Sequence, residues 1–261
     1  MADSGVFILE IMLGEKMKNY KIIVQYDGTR YDGWQKQGNT ENTIQGKIEK
    51  IIEKMVSEPV EIHGSGRTDA GVHAKGQVAN FHLSTDLSED EILEYLNLYL
   101  PKDIAITSIS TVNDRFHSRL NAKGKKYEYR IGTNKIRNVF ARNYIYHLGY
   151  GLDMDKMRTA AKYLEGEHDF IGFCSLKKMK KSSVRTIHHI TIREEEGEVR
   201  IAVEGDGFLY NMVRIIAGTL IEVGSGRMVP EAINDILQSG NRQEAGPTAP
   251  SCGLSLIEVY Y

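Results

Sequence analysis

Residues 64–82 read Gly-Ser-Gly-Arg-Thr-Asp-Ala-Gly-Val-His-Ala-Lys-Gly-Gln-Val-Ala-Asn-Phe-His. Two segments with strand character, 60–63 and 77–83, flank a turn carrying glycines at 64, 66, 71 and 76, so the stretch predicts two strands joined through a loop. The glycines permit left-handed or tightly curved backbone, which lets a ligand approach the main chain. One carboxylate, Asp69, sits in that loop. An Asp in a turn also commonly caps its own backbone amides, and this is the plain alternative to a role facing a ligand.

Outward from the loop, 20–26 predicts a strand, and Ile44, Ile48, Ile51, Ile52 and Met55 recur at helical spacing. Ser88 with Glu91 forms a capping box ahead of Ile92, Leu93, Tyr95, Leu96 and Tyr99, so a second helix runs until Pro101. A strand over 104–112 completes strand, helix, two strands, helix, strand, an α+β pattern of ferredoxin-like type. The later chain repeats the plan loosely. It predicts strands at 125–131, 183–194, 199–204 and 254–260, and helices over 153–164 and 211–223 and from Pro230 to Gly240. Two α+β halves are expected, 17–112 with the Asp69 loop and 113–261, joined around 113–122. Residues 1–16 are set aside as a leader or an expression-derived segment.

Length and a hydrophobic content of 41% suffice for a real core in a soluble globular protein. Cys174 and Cys252 stand far apart, which gives neither a metal pair nor a disulfide framework and points to a reducing cytoplasm. No apolar run is long enough to span a membrane. Gly64-Ser65-Gly66 is not a nucleophile elbow, Gly205-Asp206-Gly207 continues to Tyr210 and fails the dinucleotide fingerprint, and no histidines take zinc spacing. No metal and no cofactor are expected. The formal charge is −2, yet between Arg119 and Arg142 eight basic residues face one acid, Glu128. Lys177, Lys178, Lys180, Lys181 and Arg185 form a second cluster. Each is either a solvated face or a surface for a polyanion.

The string around Asp69 resembles the signature of the TruA family of tRNA pseudouridine synthases. Other segments agree in order: Tyr26-Asp27-Gly28-Thr29-Arg30-Tyr31-Asp32-Gly33-Trp34-Gln35, Lys125-Lys126-Tyr127-Glu128-Tyr129, the run from Gly205 through Tyr210-Asn211-Met212-Val213 to Arg214, and Ala249-Pro250-Ser251-Cys252-Gly253-Leu254. The resemblance covers 17–261. It implies a pseudouridine synthase fold of two ferredoxin- or RRM-like halves, with largely antiparallel sheets forming a central cleft. It also implies isomerisation of uridine to pseudouridine at positions 38 to 40 of the tRNA anticodon stem-loop, in a cytoplasmic homodimer.

In that family Asp69 is the nucleophile. Arg214 is its partner, expected to lower the Asp pKa and aim the carboxylate. Tyr127 is the platform on which the extruded uracil stacks, with a hydroxyl that is also a candidate to assist removal of the C5 proton, and Leu254 packs on the other face of the base. Arg67 engages phosphate or helps open the base out of the stack. Lys125, Lys126, Lys177, Lys178, Lys180 and Lys181 are RNA-binding candidates. Trp34 reads equally as a buried anchor or an RNA-stacking ring, and His73 as a structural histidine in a turn in preference to a contact with ribose or phosphate. A competing reading, a tRNA-binding or RNA-folding module without chemistry, has no use for a carboxylate in a phosphate-facing cleft.

Overall fold

The computed structural model describes residues 17–176 and 181–261. Lys177, Lys178 and Lys180 of the second basic cluster, and the segment 1–16, lie outside them. The chain runs β1 (Lys18–Tyr26), α1 (Ile44–Val56), β2 (His63–Gly64), β3 (His73–Leu83), α2 (Glu89–Tyr99), β4 (Ile104–Val112), β5 (Gly124–Gly132), β6 (Tyr146–His147), α3 (Met154–Leu164), β7 (Gly166–Asp169), β8 (Val184–Glu195), β9 (Glu198–Gly205), α4 (Met212–Gly224), α5 (Ala232–Ser239) and β10 (Leu254–Tyr260).

Local chemistry sets the helix ends. The Thr43 hydroxyl accepts from Gly46 N at the start of α1, and Ile44, Ile48 and Ile52 then fall on one buried face. Burying each such isoleucine contributes roughly 1.5–3 kcal/mol. The capping box of Ser88 and Glu91 opens α2 as the sequence predicts, and Asp153 caps α3 through Lys156 N. Most of α4 is apolar and buried, so it is a core helix rather than a surface one.

The ten strands form one sheet in the order β4-β1-β3-β10-β5-β9-β8-β7, with β2 added to β3 and β6 to β5. Pairing is antiparallel except for β3 with β10 and β5 with β6. β1-α1-β2-β3-α2-β4 and β5-α3-β8-β9-α4-β10 trace the same ferredoxin-like order, so the expected halves meet edge to edge in a continuous sheet. β3 gives one edge to β1. It divides the other between β2, at Ala79 and Asn80, and β10, at His73 and Ala74. The loop bearing Asp69 leaves the sheet in the notch between them.

Three elements differ from the sequence reading. The strand expected at 60–63 shrinks to His63–Gly64. The reason is that Ile62 N donates to Glu49 Oε1 at 3.0 Å and Ile62 O accepts from Gln45 Nε2 at 3.1 Å, so α1 satisfies main-chain groups that a strand partner would have taken. β3 begins at His73 rather than at 77, drawn back by its pairing with β10. β7, Gly-Glu-His-Asp, has no apolar alternation and is recruited by antiparallel pairing with β8.

Candidate active site

The turn 65–72 is held from behind. Trp34 N donates to Thr68 O at 3.1 Å, the Tyr26 and Thr68 hydroxyls lie 2.7 Å apart, and Val72 N donates to Asp69 O at 3.1 Å. Of the four glycines read as openings for a ligand, only Gly71 takes positive φ, 76°. Gly64 instead makes room for the buried Trp34 indole, whose Nε1 would lie 2.4 Å from an added Cβ. This resolves Trp34 as an anchor. Its ring lies 6.0 Å from that of Tyr26, beneath the loop it supports.

The Asp69 carboxylate receives no hydrogen bond from its own turn among the described residues. It faces Arg214, whose Nη1 stands 3.6 Å from Asp69 Oδ2, with both side chains partly buried. Arg214 is itself fixed: its Nε donates to Ala249 O at 2.7 Å and its Nη1 to Asn211 Oδ1 at 2.9 Å. Asn211 holds a left-handed φ of 61° at the head of α4, a conformation Asn tolerates, and its amide nitrogen donates to Ser175 Oγ at 3.0 Å.

Asp69 and Arg214 line a cavity of about 570 Å³ together with Arg67, Lys125, Tyr127 and Leu254. Arg67 is exposed at its mouth, its Nε 3.3 Å from Gln35 Oε1. Tyr127 is 8% exposed and meets the Phe208 ring edge-on at 5.2 Å. Leu254 is buried. Lys125 donates from Nζ to Ser65 O at 2.9 Å and shares the Tyr127 face of β5. Lys126 points to the other face, paired with Glu204 at 2.7 Å. Lys181 is exposed and does not line the cavity.

A family model described as tRNA pseudouridine synthase matches residues 22–121 and 160–261. The chain belongs to the tRNA pseudouridine synthase family. It is 53% identical over 245 residues to tRNA pseudouridine synthase A of Bacillus sp. (strain KSM-64), covering 94% of this chain and 100% of that one. It is 49% identical to tRNA pseudouridine synthase A 2 of Bacillus anthracis, with the same coverage. Identity to tRNA pseudouridine synthase A of Acetivibrio thermocellus is 46%, again over 94% of this chain and 100% of that one.

Electrostatics in this pseudouridine synthase family member depart from the simplest expectation. Burial pushes the Asp69 carboxyl above the ordinary Asp range, and the attraction of Arg214 only partly reverses it. Burial likewise drives the Tyr127 hydroxyl up, so it stays protonated at neutral pH. Lys125 moves the other way, down to about 8, because the ammonium is desolvated and Arg119 stands near. Arg119, Arg185, Phe208 and Asn211 also line the cavity; the sequence places the two arginines in the basic clusters and assigns none of the four an individual site role. Phe208 and Asn211 stand inside the motif that ends at Arg214, but only the fold shows that they touch Tyr127 and Arg214. No group of metal-ligating side chains occurs among the described residues. No helix among them is long and apolar enough to cross a membrane.

Proposed function

We propose that this chain converts uridine to pseudouridine in the tRNA anticodon stem-loop, at positions 38 to 40, with Asp69 as the nucleophile. The observation that carries the reading is the Asp69 carboxylate held against Arg214 over Tyr127 and Leu254, in a chain of the tRNA pseudouridine synthase family. The reaction breaks the ribose C1′ bond to N1, turns the uracil and joins C1′ to C5. N1 gains a proton and C5 loses one, so nothing is added overall and no cofactor is required. Attack by Asp69 on C6 or on C1′ divides the conversion into two easier steps through a covalent intermediate.

Arg214 keeps the carboxylate ionised against its burial and aims it. Tyr127 and Leu254 enclose the flipped base, which must stay captive while it turns. A protonated Tyr127 serves better as platform and hydrogen-bond donor than as base. Extrusion of a paired base costs a few kcal/mol, and backbone contacts offset it. Arg67 and Lys125 are the contacts nearest the reacting centre, and Lys177, Lys178, Lys180 and Lys181 are candidates along the strand. The Asp69 carboxylate, set in an otherwise cationic cavity lining, favours this over a pure binding module, which would gain nothing from it. The chain is also expected to act in the cytoplasm as a homodimer of units built from 17–112 and 113–261.

Incubating the protein with tRNA transcripts tritiated at uracil C5, then mapping pseudouridine by primer extension after carbodiimide treatment, tests the reading. Tritium release with stops one nucleotide 3′ of position 38, 39 or 40 is expected. Release with stops elsewhere refutes the site. Tight tRNA binding without release returns the protein to the binding-module class.

A further inference from the structure

His73 begins β3 four residues after Asp69, and it is 3% exposed. Gly28 N donates to its Nδ1 at 3.1 Å, so Nδ1 is the unprotonated nitrogen and the ring proton sits on Nε2. Asp27 Oδ1 lies 3.2 Å from the same Nδ1, but that oxygen already accepts from Thr29 N at 2.9 Å and from Thr29 Oγ1 at 2.5 Å. Asp27 Oδ2 accepts from Tyr144 Oη at 2.9 Å, and the Tyr144 ring stands 5.0 Å from the imidazole. Main-chain groups of Asn143 and Cys252 lie against the ring as well. His73 Nε2 is the buried side-chain polar atom without a hydrogen-bond partner among the described residues.

Four segments therefore converge on this imidazole: the loop after β1, the Asp69 turn, the stretch before β6 and the loop before β10. Two of them set the reacting pair. Asp69 belongs to the turn, and Arg214 is tied by its Nε to Ala249 O in the loop before β10. The contact between Asp69 and Arg214 is 3.6 Å, beyond a hydrogen bond, so main-chain anchors rather than their mutual attraction fix its length. Packing at the anchor is close: a Cβ on Gly28 would lie 2.0 Å from Val72 O.

We infer that His73 is a positioning residue for the isomerisation, its Nδ1 holding the Gly28 amide and thereby the Asp69 turn in register with the loop before β10, to which Arg214 of α4 is tied. It rests on the reading of Asp69 as nucleophile and assigns His73 no contact with substrate. Because an ångström of misplacement at a reacting centre costs on the order of 100-fold in rate, loss of the Nδ1 acceptor is expected to reduce turnover by about that factor. Binding of tRNA spans a much wider surface and should barely change.

Native protein, His73→Leu, His73→Gln and His73→Asn, each assayed for tritium release and tRNA KM and melted in parallel, test this. Asn places an oxygen where Nδ1 stands, Gln extends past it and Leu offers none. Turnover reduced about 100-fold in the Leu and Gln variants, recovered to within a few-fold in Asn and at unchanged KM, is the expected result. All three melting below the native protein would not affect that ranking. Leu and Gln turning over like the native protein, or Asn as slow as Leu, would overturn the inference. Nitrogen-15 NMR of the native imidazole checks the contact without activity: a proton on Nε2 is expected, and one on Nδ1 overturns it. A native protein with the Nε2 proton but no tritium release would instead sink the proposed function.

Discussion

The same connection is built in two ways in the two ferredoxin-like halves. Between β8 and β9, the second and third strands of the later half, the chain turns through Glu196 and Gly197 alone, with φ of 52° and 76°. Two consecutive positive φ values make the tight hairpin that suits twisted strands. Between β2 and β3, the equivalent place in the earlier half, residues 65–72 intervene and carry Asp69. β2 is two residues long where β8 has twelve. A full-length β2 would occupy the edge of β3 that β10 uses, so shortening it both joins the sheets and opens the notch for the loop bearing Asp69. The residue proposed as nucleophile thus lies in a connection while the layered scaffold stays the same.

The largest effect is expected from removing what the later half contributes to that notch. Arg214→Gln should lower turnover by about 100- to 1,000-fold, as for loss of a preorganised charged partner. It should also move the acid limb of the rate profile to higher pH, because Arg214 is what holds the raised Asp69 pKa down. An acid limb unmoved in Arg214→Gln would separate the two residues. In the native protein that limb should lie above the ordinary Asp value of about 4.

Next in size, neutralising Lys177, Lys178, Lys180 and Lys181 together should weaken tRNA binding about tenfold and flatten its salt dependence while leaving turnover at saturation unchanged. Unchanged salt slopes would assign them to a solvated face.

The sharpest contrast between the halves needs one substitution in each. Gly71 and Gly197 share a φ of 76°. Gly197→Ala, whose Cβ would lie 2.2 Å from the exposed Asn134 side chain, should lower stability by about 1 kcal/mol, or 2–4 °C in Tm, with native turnover. Gly71→Ala should show a similar loss of stability plus a several-fold drop in turnover, since its Cβ would meet Ser251 Oγ at 2.5 Å in the loop tied to Arg214. Equal turnover in the two variants would erase the distinction drawn between loop and hairpin.

Much of this was legible in the residues. Ser88 and Glu91 predict α2, the isoleucines predict α1, and β4 and β10 fall where their alternation puts them. What the sequence hides is long-range. Nothing in Val60-Glu61-Ile62 says that Gln45 and Glu49 will claim the main chain of Ile62. Polar β7 is created by its neighbour. Among fourteen tyrosines, Tyr127 is distinguished by lying in β5 opposite the Asp69 turn, a relation that only the joining of β3 to β10 produces. Resemblance supplied Asp69, Tyr127 and Arg214, but the direction of the Asp69 shift depends on burial, which the linear motif does not encode.

That direction also governs stability. A folded pKa above the unfolded value means that the folded chain binds the proton more tightly, so ionised Asp69 costs stability as pH rises through the unfolded and then the folded value. Asp69→Asn should therefore leave Tm at neutral pH unchanged or raise it. The decisive measurement is tritium release from C5-labelled tRNA by native protein and Asp69→Asn side by side, at matched tRNA binding. Release by the native protein and none by a folded, tRNA-binding Asp69→Asn is the expected result; comparable release from both would contradict the assignment of the chemistry to the notch between β2 and β10.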